Sequence, residues 1–70
     1  MVEVFKTNIH DQTVADSIIN DLHLQVEALR INFDLDDCDK ILRIESNDNV
    51  VEKVHHFLKS QGYLCEVLED

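Results

Sequence analysis

Apolar residues recur along this chain with two different periods. From Val2 to Ile9 they alternate: Phe5, Thr7 and Ile9 share one face, and Val2, Val4, Lys6 and Asn8 the other, the two-residue period of a strand. The period then lengthens. Val14, Ala15, Ile18 and Leu22 fall on one stripe of a helix, with Ile19 at its edge, while Asp16, Asn20 and His23 point away. This helix is expected to start at Thr13 as N-cap, with Asp16 three residues on as an imperfect capping box and Asp11 as the competing cap. It is expected to run out near Leu24. Alternation then returns twice, with Leu29, Ile31 and Phe33 against Arg30 and Asn32, and Leu42 and Ile44 against Ile41, Arg43 and Glu45. The segment between, Asp34 to Asp39, reads as a hairpin connection, because Asp side chains bond to nearby backbone amides. A second helix starts around Asn47 to Asn49. Val50, Val51, Val54, Phe57 and Leu58 form its stripe, with His56 opposite and His55 on the flank. Gly62, the only glycine, suits the left-handed residue that ends a helix, and Tyr63 to Leu68 reads as a last strand.

The order β-α-β-β-α-β, with one apolar stripe per helix, predicts two layers: both helices on one face of an antiparallel sheet. Right-handed crossovers make this the α+β, ferredoxin-like sandwich, with the first and third strands central and the second and fourth at the edges. The whole chain, 1–70, reads as a single domain without repeat or linker, and it contains no proline. In this topology three connections share one end: the first strand-to-helix turn (His10 to Thr13), the acidic hairpin (Asp34 to Asp39) and the turn into the last strand (Gln61 to Tyr63).

Composition narrows the functions. Six basic against fifteen acidic residues give a formal net charge of −9. That speaks against nucleic acid, which needs clustered Lys and Arg, and against an anionic membrane surface. It allows a basic partner or a cation, although acidity also serves simply to keep a small protein soluble. No apolar run approaches the ~18 residues that span a bilayer. The N-terminal residues lack the features of a secretory signal, so a cytoplasmic location is expected. Cys38 and Cys65 are too far apart in sequence for a zinc motif or a disulfide framework.

Several stretches resemble the heavy-metal-associated domain family, the small copper and zinc carriers and the N-terminal modules of metal-pumping ATPases. Phe5-Lys6-Thr7-Asn8-Ile9 is similar to the first strand of stand-alone members, Asp39 to Ser46 to their third strand, and Gln61-Gly62-Tyr63 to their closing Gly-Tyr or Gly-Phe turn. The resemblance covers almost the whole chain. It implies a copper-chaperone-like domain with a soft-metal site, M-x-C-x-x-C, at the first strand-to-helix turn. Matching the helix stripe puts Ile9 on the methionine, and Asp11 and Val14 on the two cysteines. The thiolate pair is therefore replaced, and Val14 offers no donor.

These residues bear on five chemistries. A replacement metal site would centre on His10 and Asp11, with Tyr63, Asp36 and Asp37 nearby; imidazole and carboxylate suit a divalent ion better than Cu(I). The plainer alternative is that Asp11 caps the helix and His10 is a solvated turn residue. A calcium loop from Asp34 to Glu45 matches some EF-hand positions, but it lacks the glycine at position six and is flanked by strands. Cys65 is expected to be buried and inert. Cys38 is expected to be exposed among four aspartates, and the two lie too far apart across the sheet to bridge. No nucleophile or carboxylate pair accompanies His23, His55 or His56, so no enzyme activity is expected. Finally, Val2, Val4, Ile41, Leu64 and Leu68 fall on the back of the sheet, a candidate surface for a protein partner or a homodimer. The leading expectation is a metal-carrier-type domain without its thiolates, holding at most a divalent metal ion weakly. The alternative is a non-enzymatic interaction module using the acidic loop end or the sheet back.

Overall fold

A computed structural model describes residues 1–68. Its elements are β1 (Val2–Thr7), α1 (Gln12–Gln25), β2 (Arg30–Asp34), β3 (Ile41–Glu45), α2 (Val51–Ser60) and β4 (Cys65–Leu68). The strands form one open antiparallel sheet in the order β2-β3-β1-β4, and the fold is a ferredoxin-like α+β sandwich. The expected central and edge strands are the observed ones.

The stripes read from the sequence are what the helices bury. Ala15, Ile18 and Leu22 of α1 and Val54 and Leu58 of α2 meet Phe5, Leu42 and Ile44 from the sheet in one core. Burying a side chain such as Leu22 or Leu58 contributes about 1.5–3 kcal/mol. Ile9 joins this core although β1 stops at Thr7, two residues short of the expected end. Leu29 departs from expectation. It precedes β2, which starts at Arg30, and is 62% exposed.

The helix starts also differ from expectation. Asp11, not Thr13, caps α1: its Oδ1 accepts from the Thr13 amide at 2.8 Å and the Val14 amide at 3.2 Å. Asp16 makes no capping box and instead accepts from Gln12 Nε2 at 2.8 Å. The cap position of α2 is Val50, which offers no side-chain acceptor; Asn49 Oδ1 receives the Val51 amide at 3.0 Å in its place.

Cross-strand partners share a face of the sheet. The uncovered face therefore carries three rows, running from β2 to β4. Asp34, Ile41, Lys6 and Glu66 form the row nearest the hairpin. Asn32, Arg43, Val4 and Leu68 form the middle row, and Arg30, Glu45 and Val2 the far one. On this face Val2 and Leu68 are exposed and Val4 half-buried, while Ile41 is only 8% exposed on its central strand between Asp34 and Lys6. Among the described residues no helix is long and apolar enough to cross a membrane.

Candidate functional site

Two residues at the end of β1 draw the three connections together. Thr7 is buried; its amide donates to Asp39 O at 3.1 Å and its hydroxyl to Lys40 O at 2.6 Å, which ties the acidic hairpin to β1. The same hydroxyl accepts from the Ile9 amide at 3.2 Å and so shapes the exit from the strand. Asn8 Oδ1 accepts from the Leu64 amide at 3.0 Å and brings in the turn before β4. That turn is formed by Gly62, at φ 89°, with the Gly62 and Tyr63 amides returning to Lys59 O and Leu58 O at 3.0 Å each.

Around this junction Asn8, Ile9, His10, Asp11, Val14 and Tyr63 line a small hollow of about 80 Å³. It lies at the β1–α1 turn, where a replacement metal site was expected from the sequence. Three of the residues named from the sequence, His10, Asp11 and Tyr63, meet there. Asp36 and Asp37 do not line it. One oxygen of Asp11 is already occupied by the two amides it caps, so its second oxygen is the donor that remains for an ion.

The hairpin is organised by itself. Asp37 Oδ1 accepts from the Asp39 amide at 2.8 Å, and Asp37 O accepts from the Lys40 amide at 3.0 Å. Lys40, in the left-handed region at φ 49°, donates its Nζ to Leu35 O at 2.8 Å. Asp37, Cys38 and Asp39 hold donor atoms within 4.8 Å of one another, the one such group of three among the described residues, and neither His10 nor Asp11 belongs to it. These are solvated side chains at a tight turn, where Asp carboxylates serve the backbone. The Asp34-to-Glu45 calcium loop does not form: Glu45 ends β3, at the far end of that strand from the hairpin.

Both cysteines are free, Cys38 exposed and Cys65 buried, as expected. Burial pushes the Cys65 thiol up from 9.0 to about 11. The strand pattern places Thr7 and Asn8 on β1 and its exit without marking the junction they build. The available signal was a pair of hydrogen-bonding side chains in the last positions before a strand-to-helix turn.

No protein-family model matches the chain, and no curated protein or solved structure gives a significant match.

Proposed function

We propose that this chain is a domain of heavy-metal-associated type that acts by binding and not by catalysis. Any metal it carries is a divalent ion held weakly by His10 and Asp11, with the Tyr63 hydroxyl at the rim. The observation that carries this reading is that these three residues line one hollow at the β1–α1 turn. Imidazole and carboxylate oxygen favour Zn(II) or Ni(II) over Cu(I). Two protein donors, one of them shared with a helix cap, fall short of the four that close a structural zinc site. A cytoplasmic location belongs to the same proposal and is supported by the two unpaired thiols. The test is an NMR titration of the metal-free protein with Cu(I), Zn(II), Ni(II) and Ca(II). Saturable amide shifts confined to residues 8–14 and Tyr63, and lost in His10→Ala, are expected for Zn(II) or Ni(II). The absence of any site-specific shift sinks the reading.

A second reading, a protein-interaction module, is supported by a different observation. The sheet face opposite the helices is uncovered and presents Val2, Val4 and Leu68 among charged residues of both signs. A photocrosslinking amino acid at Asn32, an exposed position on that face, checks it in cells. Capture of no protein at all, neither another chain nor a second copy, removes this reading.

A further inference from the structure

The uncovered sheet face deepens the interaction-module reading and rests on it. We propose that its occupant is a second copy of this chain, packed sheet to sheet about a two-fold axis along the middle row, Asn32–Arg43–Val4–Leu68. The first argument is charge. A chain of net charge −9 repels its own copy, but the charge is unevenly spread. Among the described residues, Lys6, Arg30 and Arg43, half of the six basic residues, lie on this face against Asp34, Glu45 and Glu66. The face is neutral among the described residues, and the rest of the molecule strongly acidic. It is the surface on which two copies meet with least repulsion.

The second argument is the order of those charges. Arg30 and Asp34 stand at opposite ends of β2, and Lys6 and Glu45 lie in opposite outer rows on the two central strands. A two-fold axis along the middle row exchanges the outer rows. It sets each Arg30 over the Asp34 of the second copy and each Lys6 beside its Glu45. Val4 meets Val4 and Leu68 meets Leu68 on the axis. Arg43 meets its own copy, with the second copy's Glu45 two residues, about 6.8 Å, along the strand. The other symmetric choice, an axis parallel to the strands, would stack Asp34 on Glu66, both acidic. Aligned sheets cross at about 30°, an offset that Arg and Lys side chains span.

The existing ion pairs do not compete strongly. Arg30 Nε is 3.9 Å from Glu45 and its side chain is 84% exposed; Lys6 Nζ is 3.7 Å from Asp39. Such exposed pairs contribute little to stability. The size of the face sets the strength. Four strands at about 4.8 Å and five residues at about 3.4 Å give roughly 19 by 17 Å, below the ~800 Å² per partner of a standard interface. The dimer is therefore weak and reversible, forming between about 10 μM and 1 mM.

Sedimentation equilibrium from 10 μM to 1 mM tests this, with folding of every variant checked by circular dichroism. The wild type is expected to associate. Val4→Lys puts like charges on the axis and abolishes association, and Asp34→Arg weakens it at least tenfold. The double exchange Arg30→Asp with Asp34→Arg restores it to within about threefold, a rescue that only this pairing of copies explains. A strict monomer at 1 mM, association unchanged by Val4→Lys, or a double exchange no better than Asp34→Arg overturns the inference. The Asn32 crosslinker separates the two levels. Capture of a different protein alone overturns the second-copy occupant and leaves the interaction module standing, whereas capture of nothing removes both.

Discussion

The Thr7 hydroxyl donates to Lys40 O across 2.6 Å, so the acidic hairpin hangs on the last residue of β1. The side chain is 3% exposed, and it also accepts from the Ile9 amide. Thr7→Val keeps the shape and deletes both bonds, leaving a carbonyl and an amide without partners. The expected loss is about 1–3 kcal/mol, read as a lower urea midpoint at unchanged slope. Thr7→Ser keeps the hydroxyl and is expected to lose about 1 kcal/mol, the methyl group alone. A Thr7→Val variant as stable as the wild type would show that the hydroxyl contributes nothing.

Asp11 has a structural role that can be separated from a metal-binding one. Its Oδ1 caps α1 through the Thr13 and Val14 amides. Asp11→Ala is expected to cost about 1 kcal/mol, and Asp11→Asn only a few tenths, because an amide oxygen caps as well as a carboxylate. Zn(II) or Ni(II) binding, if centred here, falls in Asp11→Asn as in Asp11→Ala, since the amide loses the charge an ion requires. Paired urea melts and metal titrations on both variants read the two roles apart. Undiminished binding in Asp11→Asn removes Asp11 from the site.

The layers of the fold were legible because each rests on a repeated signal. Phe5, Thr7 and Ile9 alternate, and Ile18 and Leu22 recur at helical spacing; all five are buried. Strand order followed from handedness once the six elements were placed. The junction was not legible because its partners are remote: Thr7 and Lys40 are 33 residues apart, Asn8 and Leu64 are 56 apart, and neither pair leaves a periodic trace. The choice between Asp11 and Thr13 as cap had the same difficulty. Both types cap well, and where the chain leaves β1 decides between them. Leu29 misled because alternation marks a strand face without marking where the strand begins, and β2 starts at Arg30. At the candidate site, the meeting of His10, Asp11 and Tyr63 was readable from topology. The separateness of Asp37 was not, because its carboxylate closes its own turn on the Asp39 amide.

Gly62 offers a backbone test free of packing effects. Its φ is 89°, and a Cβ added there would meet nothing within 4 Å. Gly62→Ala therefore carries only the conformational penalty, expected at about 1–2 kcal/mol. Gly62→Asn, a residue that tolerates the left-handed region better, is expected to lose about half as much. The urea midpoints of the two variants give the comparison; a neutral Gly62→Ala would mean that the turn before β4 relaxes to a negative φ.

The two thiols should differ in reactivity and in their effect on stability. Cys38 is exposed and Cys65 is 3% exposed, so a thiol reagent at neutral pH is expected to label one cysteine rapidly in the folded protein and the second only on unfolding. Burial holds the Cys65 thiol protonated, with its pKa raised from 9.0 to about 11. Below pH 9 both states keep that proton and the thiol adds no pH dependence. Above it the unfolded chain ionises while the folded one does not, so stability falls as pH rises through 9 towards 11. One residue with this shift costs about 1.4 kcal/mol by pH 10 relative to neutral pH. Cys65→Ala is expected to be less stable at pH 8, from lost packing, but to lack this alkaline decline. The stability gap between wild type and variant should thus narrow by about 1.4 kcal/mol from pH 8 to pH 10. Urea melts at half-unit pH intervals measure the gap directly; a constant gap would mean that the Cys65 thiol ionises as readily in the folded protein as in the unfolded chain.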